Sequence, residues 1–145
     1  MNKSFLTSLA LSFVSAISFG QEQQIRKLTL QELKAALEQP LPENCKAGAE
    51  FNKQTGALEL SFKKDSTSLS FSVETTPPVY AFLAQDKNEV WYNLYQYSKE
   101  NNGKRTDLFI QSELYGKRTV GLRAEILEKR GSDWVPTSLV DCSKK

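Results

Sequence analysis

The sequence predicts a mainly β protein: an antiparallel up-and-down meander of about eight strands with one short N-terminal helix. A small closed barrel is favoured over the alternative, a β-sandwich. Three observations support this fold class. After residue 45, apolar and polar residues alternate over most of the chain; short turn-forming sequences separate the alternating runs; and helical periodicity is clear in one segment only.

Residues 1–20 have the pattern of a signal peptide. Lys3 provides a short basic start, an uncharged apolar stretch runs from Phe5 to Phe19, and small residues occupy positions 18 and 20. This stretch is short for a membrane span. We therefore expect cleavage before Gln21 and a secreted or periplasmic protein with no membrane span after cleavage. An uncleaved N-terminal anchor is the alternative.

Residues 21–44 form the predicted helix-containing segment. In "LTLQELKAALEQP", leucines recur at helical intervals, and Thr29 and Glu32 have the spacing of a capping box. Pro40 ends the pattern. A helix with one apolar stripe must pack against another element, so we expect it to cover part of the β domain.

Residues 45–145 form the predicted antiparallel β domain. In "ALELSFK", large apolar residues alternate with polar ones, as expected of a strand that is half buried. The sequences "KQTG", "KKDST", "ENNGK", "YGK" and "RGSD" indicate hairpin turns, whereas the two prolines of "ETTPP" fit poorly inside a central strand. The predicted strands cover residues 47–53, 57–63, 67–74, 79–84, 90–97, 105–114, 118–129 and 133–141.

The spacing of apolar residues also predicts pairing between strands. A three-residue loop at 115–117, with Gly116 near the left-handed region, places Ile110 opposite Leu122 and keeps the apolar residues on one face. The same register places Leu108 opposite Ala124.

The two cysteines, Cys45 and Cys142, stand 97 positions apart near the two ends of the β domain. In an exported chain, two cysteines most simply form one disulfide. Two free thiols or an intermolecular bridge are alternatives, and a metal site is disfavoured because the chain has no histidine. In an even-numbered meander, this disulfide would join the first and last strands at the seam of a barrel.

The absence of histidine excludes serine–histidine and cysteine–histidine nucleophilic sites and histidine-ligated metals. Dinucleotide, phosphate-loop and calcium-loop motifs are also absent from the sequence. A carboxylate-dependent hydrolase is the third hypothesis, with Asp107 and Glu113, or Glu125 and Asp141, as candidate pairs. Solvated outer faces explain these acids more simply, so we expect no enzyme activity, no catalytic residue, no metal and no cofactor.

The most informative segment for function is "EVWYNLYQYSK". Its strand periodicity places Trp91, Tyr95 and Tyr97 on one face and Tyr92 on the other. With a two-residue turn at Asn102–Gly103, each residue of the first set faces an apolar residue of the next strand, so Trp91, Tyr95 and Tyr97 should all point inward. A central strand covered on both sides explains this pattern, and a ring-lined ligand site is the functional interpretation.

We therefore expect an exported binding module that holds a small ligand or a glycan through Trp91, Tyr95 and Tyr97. A protein-interaction domain that acts through its hairpin loops on another exported protein, such as an inhibitor of an extracellular or envelope enzyme, is the alternative. Nucleic acid is not an expected partner. Removal of Lys3, the only charge in residues 1–20, lowers the net charge from +2 to +1, which provides little electrostatic attraction.

Overall fold

The computed structural model describes residues 17–18, 25–42, 44–115 and 117–143. They form two antiparallel sheets and one helix. The elements are β1 (Ile17–Ser18), β2 (Arg26–Leu28), α1 (Leu30–Leu37), β3 (Cys45–Phe51), β4 (Leu58–Lys64), β5 (Thr67–Val73), β6 (Val79–Asp86), β7 (Trp91–Asn101), β8 (Lys104–Glu113), β9 (Thr119–Arg130) and β10 (Asp133–Ser143).

The eight predicted strands correspond to β3–β10, and the antiparallel fold class is confirmed. Strands β3, β4 and β5 form a small sheet, and β6–β10 follow one another across a large sheet. Two short strands that were not predicted from the sequence, β1 and β2, both pair with β6. Strand β2 shows that the helix-containing segment also contributes to the large sheet. Among the described residues, no helix is long and apolar enough to cross a membrane.

The preference for a closed barrel was wrong, and the two-sheet arrangement agrees with the sandwich alternative. Within the described residues, β5 does not pair with β6, and β3 does not pair with β10. Pro77 and Pro78 lie between β5 and β6. Because proline has no amide hydrogen to donate to a ladder, this junction separates the two sheets.

The main apolar core lies between the two sheets and beneath α1. It combines Leu58, Leu60 and Phe62 of the small sheet with Ile110 and Leu122 of the large sheet. The helix contributes the buried residues Leu33, Ala36 and Leu37. The alternating pattern of β4 and the leucine spacing of α1 therefore point into one shared core.

The predicted capping box of α1 is confirmed. The Glu32 amide donates to Thr29 Oγ1 at 3.1 Å, and the Thr29 amide donates to Glu32 Oε1 at 3.0 Å. The bond from the Thr29 backbone is the largest influence on the pKa of Glu32, which is lowered. After the helix, the Thr119 amide donates to the Pro40 carbonyl at 2.9 Å. This bond fixes the chain against the start of β9.

The predicted disulfide between Cys45 and Cys142 is present, with the two Cα atoms 6.2 Å apart. Its structural role differs from the expected one, because it joins the edge strands of two separate sheets. Next to it, Lys64 Nζ donates to the Asp141 carbonyl at 2.8 Å. Together, these bonds hold the small sheet to β10.

The predicted register is confirmed in the centre of the large sheet. Ile110 pairs with Leu122, and the next inward pair is Leu108 with Ala124. Closer to the loop, the register shifts by one residue between Gln111 and Ser112. The expected three-residue loop at 115–117 was therefore wrong, because β8 ends at Glu113 and β9 begins at Thr119. Gly116, which we expected near the left-handed region, lies outside the described residues.

The expected two-residue turn between β7 and β8 is also confirmed. Asn101 pairs with Lys104, and both turn residues have positive φ, 51° for Asn102 and 76° for Gly103. These angles belong to the turn type whose twist matches that of a β-hairpin. The turn fixes the pairing that directs the tyrosines of β7 inward.

Candidate functional site

Two of the three predicted site residues lie in the core. Tyr95 is 9% exposed and Tyr97 is 2% exposed, and both pack with apolar residues of both sheets. They pair with Ile110 and Leu108, as the sequence indicated. Trp91 shares their strand face but lies at the start of β7, where it is 37% exposed. The structure thus brings the two tyrosines together and leaves the tryptophan at the surface.

The ring of Tyr97 is stacked on Phe71 of the small sheet, with ring centroids 6.4 Å apart and planes inclined by 7°. Its hydroxyl is buried and has no hydrogen-bond partner among the described residues. Burial is the main cause that raises the pKa of Tyr97 to about 12. Burial also raises the pKa of Tyr95. These side chains act as packing residues between the sheets in this structure.

Tyr92 lies on the opposite face of β7, as predicted. It packs against a second buried cluster that includes Phe82, Leu94 and Phe109. Its hydroxyl donates to Asp86 Oδ2 at 3.1 Å, and burial together with this bond raises the pKa of Tyr92. Aromatic residues therefore occur on both faces of β7 because this central strand is buried on both faces.

A groove of about 750 Å³ lies elsewhere, on the outer face of the small sheet. No pattern in the sequence predicted a site at this groove. Its lining consists of small, hydroxyl-bearing or acidic residues together with a few apolar ones: Gly48, Ala49, Glu50, Glu59, Leu60, Ser61, Ser70, Phe71 and Ser72. The sequence signal was the placement of glycine and serine at outward positions of three neighbouring strands.

The pairing of β3, β4 and β5 arranges the outward residues in three rows across the sheet. The middle row has the smallest side chains, and the flanking rows are basic on one side and acidic on the other. The rows are Lys46–Lys63–Ser68, Gly48–Ser61–Ser70 and Glu50–Glu59–Ser72. The middle row therefore forms the floor of the groove, and the acidic row forms one wall.

Gly48 keeps the floor open. A Cβ atom at this position would lie 2.7 Å from Ser61 Oγ, closer than real Cβ atoms approach another heavy atom. Glycine inside a strand weakens the strand and often marks a place where another group approaches closely. At this position, any side chain would displace Ser61 or occupy the groove.

Glu59 is held in a fixed orientation on the wall of the groove. Ser72 Oγ donates to Glu59 Oε1, and Asn52 Nδ2 donates to Oε2 at 3.2 Å. These two bonds, with the one from Ser72 as the larger cause, lower the pKa of Glu59. Asn52 is itself fixed, because its Oδ1 accepts from the amide of Gln54 at 2.9 Å. The groove thus carries an oriented, charged acceptor.

The carboxylates considered for a hydrolase lie on the large sheet, and each has an arginine partner. Arg105 contacts Asp107 at 3.1 Å and Arg118 contacts Glu113 at 2.7 Å, whereas Arg123 contacts both Glu125 and Asp141, at 3.7 and 3.2 Å. These ion pairs link neighbouring positions of the sheet. They provide each acid with a structural role.

Exposed apolar residues gather at one end of the large sheet. Trp91 and Val90 lie at the β6–β7 hairpin, and Tyr115, which is 83% exposed, lies in the β8–β9 loop. The Leu114 amide donates to the Trp91 carbonyl at 3.0 Å, so the loop and the hairpin are adjacent. We call Val90, Trp91 and Tyr115 the hairpin-end surface.

Comparison of the chain with protein-family models, curated proteins and solved structures finds no match.

Proposed function

We propose that this protein is an exported binding module that holds a hydroxyl-rich ligand, a glycan chain, in the groove of the small sheet. The observation that carries the proposal is the groove itself, with its floor of small residues and its oriented acceptor, Glu59. The disulfide is in keeping with export, because such bonds persist in oxidising compartments. The role is non-catalytic, and the groove contains no nucleophile–histidine pair because the sequence has no histidine.

The chemistry of the lining suits a sugar. Sugar hydroxyls donate and accept hydrogen bonds; Ser61 and Ser70 can do both, and an ionised carboxylate accepts strong bonds from hydroxyl donors. A volume of about 750 Å³ lies within the range of roughly 300–1,000 Å³ for ligand sites. Because the floor crosses three strands without a large side chain, an extended chain can lie along it.

The proposed ligand, a glycan, belongs to the class expected from the sequence, but the proposed site is the groove and not the aromatic residues of β7. Tyr95 and Tyr97 are packed in the core, so we assign them a supporting role beneath the small sheet. Trp91 belongs to the hairpin-end surface. The groove depends on the register of β3, β4 and β5, which aligns small residues from three separate stretches of sequence.

Calorimetric titration of the exported protein with cellotriose, tri-N-acetylchitotriose and the deacetylated chitotriose tests the proposal. We expect at least one trisaccharide to bind. Ser70→Gln, which adds a longer side chain to the floor, should weaken binding about tenfold or more, an effect of roughly 1.4 kcal/mol. Ser68→Gln is the matched control, since Ser68 faces outward on the same strand but does not line the groove. Absence of binding, or equal weakening by both variants, contradicts the proposal.

The hairpin-end surface favours a second candidate function, that of a protein-interaction domain such as an enzyme inhibitor. Tryptophan and tyrosine dominate the energetics of many protein interfaces. Trp91, at the start of β7, and Tyr115, in the adjacent β8–β9 loop, are both exposed. This function would use different residues from those of the groove.

Capture experiments with immobilised protein can distinguish the two candidate functions. An exported partner bound through the hairpin end should be retained by the wild type and by Ser70→Gln and lost from Trp91→Ala and Tyr115→Ala. A partner retained equally by all variants contradicts a specific role for this surface.

A further inference from the structure

The groove carries charges that its own sheet does not compensate. Glu50 lies directly opposite Glu59 in the register of β3 and β4, and Lys46 lies directly opposite Lys63. Like charges that face each other across a strand pair repel, whereas opposite charges would attract. If Lys63 and Glu59 exchanged positions, each pair would consist of opposite charges. The small sheet instead gathers its acids in one row.

The repulsion between the two glutamates is not relieved within the described residues. Neither Glu50 nor Glu59 takes part in any of the ion pairs of the described chain. Protonation does not relieve it at neutral pH, because the bonds from Ser72 and Asn52 lower the pKa of Glu59. The two carboxylates line the groove, and Glu59 is held there by its bonds from Ser72 and Asn52.

We propose that the ligand of this groove carries a protonated amine, and that the amine binds between Glu50 and Glu59. The inference rests on the proposed function and narrows its ligand class to a glycan with free amino groups, an amino sugar chain. The floor serines contact its hydroxyls, and the ammonium group lies against the acidic wall. The ligand then supplies the positive charge that the sheet lacks next to these acids.

The location of the lysines fixes the side on which the amine binds. Lys46 and Lys63 form the row beyond the floor and do not line the groove. Four residues of extended strand, roughly 13 Å, separate the lysine row from the glutamate row. An amine over the glutamate row is therefore closer to the two carboxylates than to Lys46 and Lys63, whose repulsion is weaker at that distance.

Two trisaccharides that differ only in acetylation provide the test. Deacetylated chitotriose carries amines, and tri-N-acetylchitotriose carries neutral amides on the same backbone. At mildly acidic pH, where the amines are protonated and Glu59 remains charged, we expect the deacetylated form to bind about tenfold tighter. Added salt should reduce this preference, because it screens exposed charges.

Glu50→Gln and Glu59→Gln should abolish the preference for the amine, and Lys63→Gln, on the opposite row, is the matched control that should preserve it. Glu50→Gln should also raise the melting temperature of the free protein, because it removes a like-charge contact. Weaker binding by a more stable variant cannot result from unfolding.

Three outcomes are distinguishable. Preference for the deacetylated form that disappears in Glu50→Gln supports the inference. Equal binding of both forms, or a preference unchanged in Glu50→Gln, overturns the inference and leaves the glycan-binding function standing. Binding of none of the trisaccharides overturns the proposed function and the inference with it.

Discussion

The two sheets differ in how many of their faces are buried. In the large sheet, four consecutive residues are buried in β7, from Leu94 to Tyr97, and four in β8, from Asp107 to Ile110. Consecutive burial means that both faces are covered, because neighbouring side chains of a strand point in opposite directions. In the small sheet, β4 alternates strictly between buried and exposed residues from Leu58 to Phe62. Its outer face is open.

This difference separates structural from functional roles. A strand buried on both faces is constrained by packing at every position, whereas an open face can accept small, polar or like-charged residues at little cost to the core. The row of Gly48, Ser61 and Ser70 is of this kind. The aromatic residues that first suggested a ligand site belong to the constrained sheet, and the groove belongs to the open one.

The largest expected effect comes from the bond that joins the sheets. Closure of a loop of 97 residues has a chain-entropy value of roughly 4–5 kcal/mol, so Cys142→Ala should lower the free energy of unfolding by a few kcal/mol. Denaturant unfolding of oxidised, reduced and mutant protein measures this loss. Because Lys64 and the shared core also connect the sheets, the fold should persist. Unchanged stability would show that the sheets are held together without the disulfide.

Truncation of a core tyrosine should have the next largest effect. Tyr95→Ala removes a buried ring between the sheets and should cost about 3–5 kcal/mol, as large core truncations do. Ser70→Ala, on the open face of the small sheet, should change stability by less than about 0.5 kcal/mol. Chemical denaturation of the two variants measures the contrast.

Tyr92→Ala is the control for the assignment of faces in the large sheet. Tyr92 is half-buried on the other face and donates one hydrogen bond to Asp86, so its truncation should cost less than Tyr95→Ala. A greater loss in Tyr92→Ala would show that the second cluster, and not the core between the sheets, dominates the stability of the large sheet.

Features that depend on neighbouring residues could be predicted from the sequence, and features that depend on contacts between distant strands could not. Helix α1 and the register around Ile110 and Leu122 follow from local signals: a capping box, turn residues and strict alternation of apolar residues. Sheet closure depends on whether edge strands meet across the molecule, and no local pattern encodes that meeting. The cysteine spacing was equally compatible with a barrel seam and with a bond between two sheets.

The candidate site was harder to predict for a related reason. The sequence shows Trp91, Tyr95 and Tyr97 together in one stretch, so their shared face was easily recognised. The predicted inward direction is correct for Tyr95 and Tyr97 and wrong for Trp91, which lies at the exposed start of the strand. The groove combines residues from three strands, and none of these residues indicates a site within its own stretch of sequence. The groove can be recognised only from the strand register, which places Gly48 beside Ser61 and Ser70. Aromatic residues signal burial as strongly as they signal binding.

The smallest expected effect concerns the hydroxyl of Tyr97 between the two sheets. A buried hydroxyl without a hydrogen-bond partner is costly, so Tyr97→Phe, which keeps the ring stacked on Phe71, should leave stability unchanged or raise it by about 1 kcal/mol at neutral pH. Urea unfolding at pH 7 measures this change. A clear loss of stability would show that the hydroxyl makes an essential contact.

Alkaline unfolding provides a second measurement of the same hydroxyl. The pKa of Tyr97 is about 12 in the folded protein, above its ordinary value of 10.0, because burial disfavours the charged form. The folded state therefore retains a proton that the unfolded state releases, and this contribution to stability is lost as the pH rises from about 10 to about 12. Tyr97→Phe should lose stability less steeply over this interval than the wild type.

Tyr95→Phe is the matched control, because the hydroxyl of Tyr95 also has a raised pKa but is not among the unpartnered buried groups. Tyr95→Phe should show no gain in stability at neutral pH. That result would assign the gain in Tyr97→Phe to the unpartnered hydroxyl of Tyr97, which lies beneath the small sheet.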